Sequence, residues 1–318
     1  MAMTRNRILP HQSDNLFLTD AGFETWMLFV KKFNMPHFAA FPLLQNKEAR
    51  VAIREYFSDF LALARKNNTG FVLDTNTWRA NPDWAKLLGY NLDDLAAVNR
   101  DAVRFAEELR KDLGAGLNVL INGVVGPRGD GYDAGTVMSV SEAEEYHGFQ
   151  VDVLAHSKVD MISAITMTNA NEAIGISRAA YEADIPCVIS FTLETDGALP
   201  NGQSLADAIA ETDSRQAARP AYYMINCAHP DHFSTMLDGA GSWVNRIHGI
   251  RANASRMSHT ELDACEVLDD GNPQELGNLS GDLIRLLPKL NVFGGCCGTD
   301  HRHVEHMCRA VGSIRALG

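Results

Sequence analysis

The 318-residue sequence predicts a single (β/α)8 barrel, on three observations. Short β-rich apolar runs recur eight times, stretches with helical spacing lie between most of them, and no Pro/Gly/Ser-rich linker or shift in composition divides the chain. An open doubly wound sheet would show the same alternation, so closure is an expectation that the structure must test. With 46% hydrophobic and 21% charged residues the chain can fill one such core, and residues 1–318 are taken as one domain.

The candidate strands are residues 16–19, 70–73, 117–122, 159–165, 186–191, 221–225, 243–250 and 291–293. Amphipathic stretches at 48–66, 92–112, 141–156, 171–183 and 274–287 supply the helices, and a last helix is expected over 301–311. Longer interruptions around 33–44 and 253–271 follow strands one and seven. In a barrel these are βα loops, which roof the active-site face.

Twenty-eight basic against 40 acidic residues give a formal charge of −12, which repels nucleic-acid phosphates and anionic lipid surfaces. The first twenty residues lack the apolar core of a secretory signal, and no apolar run approaches membrane-spanning length, so a cytoplasmic protein is expected. Six cysteines are too few for a disulfide scaffold in a chain this long. They are expected as thiols, metal ligands or nucleophiles.

Gly294-Gly295-Cys296-Cys297-Gly298-Thr299 ends the eighth strand and leads into the last helix. Successive side chains of a strand point to opposite faces, so a glycine-rich turn is what lets two adjacent sulfurs converge. Cys227 closes the sixth strand in Tyr223-Met224-Ile225-Asn226-Cys227 and therefore lies at the same mouth. Three thiolates suit one zinc ion and leave its fourth position open, where a substrate thiol can be held deprotonated as a nucleophile. The competing reading is a buried or idle thiol pair. Cys187, Cys265 and Cys308 have no strand-end placement and receive no role.

These motifs resemble the homocysteine S-methyltransferase family, zinc-dependent (β/α)8 barrels that pass a methyl group from S-methylmethionine or betaine to homocysteine. The resemblance extends over Leu18-Thr19-Asp20-Ala21-Gly22, Asp74-Thr75-Asn76-Thr77, Gly126-Pro127-Arg128-Gly129-Asp130, Ser190-Phe191-Thr192 and Asn253, in order along nearly the whole chain. It implies Cys227, Cys296 and Cys297 as the zinc ligands and catalytic centre, Asp20 as an acid that helps hold the acceptor, and Asn226 as a neighbouring pocket residue. Two positions depart from the family pattern. Ile165-Thr166 stands where a Glu-Thr pair is usual, which removes a charge-assisted hydrogen bond to an acceptor ammonium, an interaction worth about 1.5–3 kcal/mol. Glu24, in a first-strand loop less glycine-rich than usual, can replace that charge or narrow the pocket; Glu194 is a second candidate, with a solvated loop carboxylate as the competing reading.

Other features receive weaker readings. Trp26, Trp78, Trp84, Phe38 and Phe41 can wall a cationic methyl donor or simply pack. His301, His303 and His306 are expected on a solvated helix face. The glycine-rich segment 126–131 lacks the pattern of a phosphate loop. The sequence therefore predicts a zinc-dependent S-methyltransferase taking methyl from a small onium donor to a thiol, homocysteine giving methionine in the leading case. The alternatives are a different thiol acceptor, a demethylase, or a catalytically idle metal-binding relative. The expected partners are small molecules, with no nucleic acid and no membrane, and a homo-oligomer is left open.

Overall fold

The computed structural model describes residues 7–214 and 216–315, and within them eight parallel strands close into a barrel in chain order. They are β1 (Phe17–Leu18), β2 (Gly70–Asp74), β3 (Val119–Val125), β4 (Met161–Met167), β5 (Cys187–Thr192), β6 (Tyr222–Asn226), β7 (Ile247–Ala252) and β8 (Val292–Gly295). Phe17 pairs with Gly70 on one side and with Val292 on the other, which removes every free sheet edge. The closed alternative is thus the observed one.

Each strand is followed by a helix: α1 (Lys47–Lys66), α2 (Leu92–Leu113), α3 (Val140–Ala155), α4 (Ala170–Glu182), α5 (Leu205–Asp213), α6 (Pro230–Leu237), α7 (Pro273–Asp282) and α8 (His301–Arg315). Local chemistry sets their starts. Asn46, Asn91, Ser139, Asn169, Ser204, His229 and Asn272 each accept a backbone N–H from the first turn of the helix that follows. The sequence reading did not single out α5 and α6, which are only nine and eight residues long and so show little periodicity. It also began the seventh strand too early, because Ser242–Arg246 forms a 3-10 turn ahead of β7.

The two-residue period of the strands sorts their side chains. Leu18, Phe71, Leu73, Ile121 and Ile189 belong to the large core shared with the helices, whereas Phe17, Val72, Leu120, Met161, Val188, Tyr222 and Val292 form a separate apolar cluster. That second cluster fills the barrel lumen, with Leu9 packed against it. Two residues further along the same strands come Asp74, Asn122, Ser163 and Ser190, and two beyond Met224, the second apolar residue of β6, comes Asn226, so a hydrogen-bonded polar layer overlies the apolar one toward the C-terminal mouth. No helix among the described residues is long and apolar enough to cross a membrane.

Candidate metal centre

Cys227 follows β6 directly, and Cys296-Cys297 follow β8, so the barrel brings all three to one mouth. Their sulfurs lie within 4.8 Å of one another, the one such cluster of metal-ligating side chains among the described residues. Cys227 and Cys296 are paired as a disulfide, with Cα atoms 5.4 Å apart, and Cys297 is a free thiol. The sequence reading expected thiols, metal ligands or nucleophiles and no disulfide; the two turns converge so closely that two sulfurs meet. That pairing and metal ligation use the same sulfurs, so reduction must precede metal binding.

The turn glycines act mainly through clearance. A Cβ on Gly294 would collide with the Thr19 hydroxyl, one on Gly295 with the Thr299 hydroxyl, and only Gly298 has a left-handed φ, of 79°. Cys227 itself is left-handed, with φ 53°. For a residue with a Cβ this costs about 1–2 kcal/mol. Its peptide is held on both sides: the N–H donates to Arg251 O at 3.0 Å, and the carbonyl accepts from Asn253 Nδ2 at 3.0 Å and from His259 Nε2 at 2.7 Å.

The cysteines open onto a cavity of about 420 Å³, with Glu24, Trp78, Arg79, Tyr132, Ile165 and Asp263 also on its wall. The loops after β1 and β7, expected as roofing segments, contribute Phe38 and Leu262. Tyr132 reaches Cys297, with its hydroxyl 3.1 Å from Sγ, and its ring stacks on His259 at a centroid distance of 3.9 Å. Burial pushes the Cys297 thiol up to about 11 and the Tyr132 phenol well above its usual range. A bare Cys297 is therefore a thiol at neutral pH, and a bound cation must displace its proton.

The floor of the cavity is ionic. Arg251 of β7 bridges the carboxylates of Asp20 and Asp74, and all three are buried. Tyr56 of α1 adds a hydroxyl 3.4 Å from Asp20 Oδ2. Burial raises Asp20 against the pull of Arg251, with Asp74 and Glu24 adding like charge. Asp20 thus borders the cavity as expected, but its carboxylate is engaged by the protein. Glu24 also faces the cavity, makes no ion pair among the described residues, and is pushed up by burial.

Asn226 is not on the cavity wall. Its side chain accepts from Thr166 N at 3.1 Å and Ser190 Oγ at 2.6 Å, and donates to Thr166 Oγ1 at 2.9 Å, so every polar atom ties β4, β5 and β6 together. The expected pocket residue is a brace behind the pocket. Glu194 is a partly exposed loop carboxylate, off the cavity wall, that also binds His259 Nδ1 at 2.8 Å. Of the aromatic candidates, Trp78 and Phe38 line the cavity, whereas Trp26, Trp84 and Phe41 pack elsewhere. His303 is fully buried, 2.8 Å from Asp270 O and 3.1 Å from Asp300, so it anchors the β7 loop instead of facing solvent.

Sequence reasoning missed Tyr132, Arg79, Arg251 and His259. Each lies in a loop, a one-turn helix within a loop or a strand end, too short a stretch for periodicity to give a direction. The arginines carried a usable signal, since a charged residue inside or just past an apolar strand needs a buried partner.

A closed (β/α)8 barrel with three convergent cysteine sulfurs at its C-terminal mouth defines a class, barrels whose mouth could hold a metal on thiolates; the soft donor set fits zinc. The chain belongs to the homocysteine S-methyltransferase family, whose model matches residues 17–311. It is similar to a homocysteine S-methyltransferase 3 of Arabidopsis thaliana, 24% identical over 184 residues, which are 56% of this chain and about half, 50%, of that relative. The homocysteine methyltransferase MmuM of Escherichia coli shares the fold. Its oxidized form aligns with a TM-score of 0.71 at 19% identity over 99% of this chain and 100% of that one. Its metallated form aligns at 0.70 and 20% identity, over 96% and 99%.

Proposed function

We propose that this chain is a zinc-dependent S-methyltransferase that moves a methyl group from a small onium donor, of the S-methylmethionine or betaine type, to the sulfur of homocysteine, giving methionine. The observation that carries this reading is the meeting of the Cys227, Cys296 and Cys297 sulfurs within 4.8 Å on the wall of one cavity. Bound there, zinc would supply the positive charge that keeps a thiol deprotonated near neutral pH.

The chain's own residues do the rest. The acceptor sulfur attacks the methyl carbon in line, the bond from that carbon to the onium atom breaks, and its electron pair neutralises the departing donor. The protein's share is alignment and exclusion of water, with Trp78, Ile165 and Leu262 supplying apolar wall and Glu24 the free carboxylate for a cationic group. Asp20 contributes through the Arg251 bridge that shapes the floor. The need for three reduced sulfurs supports a reducing compartment, the cytoplasm, as the working location.

A second reading keeps the chemistry and changes the acceptor. Ile165 presents hydrocarbon to the cavity and Asp20 is already paired, which favours a thiol without an amino group.

The test is methyl transfer from S-methylmethionine and from betaine to homocysteine, using reduced, zinc-quantified protein beside Cys297→Ala. Activity in the wild type, lost together with zinc in the variant, supports the leading reading. Zinc without transfer to homocysteine moves the search to other thiols, and reduced protein that takes up no zinc overturns it.

A further inference from the structure

Two of the three cysteines are gripped by the same pair of loop side chains. His259, in the short helix His259–Asp263 of the loop after β7, points Nε2 at the Cys227 carbonyl from 2.7 Å and Nδ1 at Glu194 Oε1 from 2.8 Å. Both partners are acceptors, so the ring spans the Cys227 carbonyl and the Glu194 carboxylate. On its face the ring stacks on Tyr132, nearly parallel at 13°, and the Tyr132 hydroxyl lies 3.1 Å from Cys297 Sγ. Tyr132 is itself fixed at the main chain, its N–H donating to Asp130 Oδ1 at 2.8 Å. The line Glu194, His259, Tyr132, Cys297 therefore joins the segments that follow β3, β5, β7 and β8, and its branch to Cys227 adds the end of β6.

We propose that Tyr132 and His259 are positioning residues for the cysteine centre: His259 holds the left-handed Cys227 peptide, Tyr132 sets the direction of the Cys297 sulfur, and their stacked rings latch the β3 and β7 loops over the cavity. The proposal rests on the metal reading of the three cysteines for its consequence in catalysis, but its geometry stands apart from that reading. A ligand whose backbone occupies a sparsely populated conformation keeps it only while its neighbours over-determine it, and here the two donors on the Cys227 carbonyl are His259 and Asn253. Partners that orient metal ligands in this way are worth about 10–100-fold in metal affinity when removed.

Two measurements on reduced protein test this. In competition with a chromophoric chelator, Tyr132→Phe and His259→Ala are expected to weaken zinc affinity by about 10–100-fold, and His259→Gln, which keeps one donor for the Cys227 carbonyl, to recover part of the loss. In metal-free protein, amide exchange over residues 253–271 is expected to speed up at least about tenfold in His259→Ala while the rest of the barrel keeps its protection. Wild-type affinity together with wild-type exchange in both variants overturns the proposal. Should His259→Ala lose protection throughout, Tyr132→Phe decides alone, since it deletes one oxygen: unchanged zinc affinity there overturns the Tyr132 assignment. A wild type that binds no zinc ends the metal reading, and the exchange result then still accepts or rejects the latch.

Discussion

Asp20 and Glu24 stand four residues apart on the same loop, and both border the cavity, yet the structure gives them different work. Asp20 is clamped by Arg251, which also binds Asp74, so a charge that looks available in the sequence is already spent on the floor. Glu24 keeps its carboxylate toward the cavity without an ion-pair partner among the described residues, and a cationic group entering there would relieve its burial. Glu24→Gln removes that charge with almost no change of shape. The expected outcome is a loss of roughly 10–100-fold in kcat/KM for homocysteine, the equivalent of about 1.5–3 kcal/mol, with a much smaller loss for 4-mercaptobutanoate, which is homocysteine without its amino group. Steady-state kinetics with the two thiols decides; equal losses would reduce Glu24 to a structural residue and favour the acceptor without an amino group.

Among the elements, α6 shows how a helix start can carry a pH dependence. Its cap is His229, whose Nδ1 accepts the Asp231 N–H at 3.3 Å, a bond that only the neutral ring can make. Burial, with Arg256 adding to it, lowers His229 to about 4. Because the folded value lies below that of an exposed histidine, the unfolded chain binds the extra proton first. Stability is therefore full above about pH 6.5 and declines as the pH falls toward 4. His229→Asn keeps a capping acceptor and removes the proton site, so the drop in urea midpoint between pH 7 and pH 5 should shrink relative to wild type. An unchanged drop would place the acid sensitivity elsewhere, with His248, also lowered to about 4 by burial, as the next residue to replace. The same helix illustrates what sequence patterns hide: eight residues led by a histidine and a proline give too little periodicity to stand out.

At the scale of the molecule, the cysteine centre joins the end of β6 to the turn after β8, two segments that β7 separates in the barrel. A cation held there links them only in the folded state, and such a ligand at a hundred times its dissociation constant stabilises by about 2.7 kcal/mol. Zinc should therefore raise the melting temperature of reduced protein, and a strong chelator should reverse the rise. Protein kept oxidised, with Cys227 and Cys296 paired, should respond little, because two of the three ligands are unavailable. An equal response in both states would move the metal away from this centre.

Much of this architecture was legible from local pattern. Eight apolar runs with helices between them specify a (β/α) succession, and cysteines at two strand ends specify a shared mouth once the strands are parallel, because every strand of such a barrel ends on the same face. Residue order was enough to place Cys227, Cys296 and Cys297 together. Closure of the barrel, the capture of Asp20 by Arg251, the withdrawal of Asn226 behind the wall and the latch of Tyr132 on His259 were decided only by tertiary structure. Each depends on which distant groups meet, across separations of up to 231 residues. Local periodicity carries no information about that.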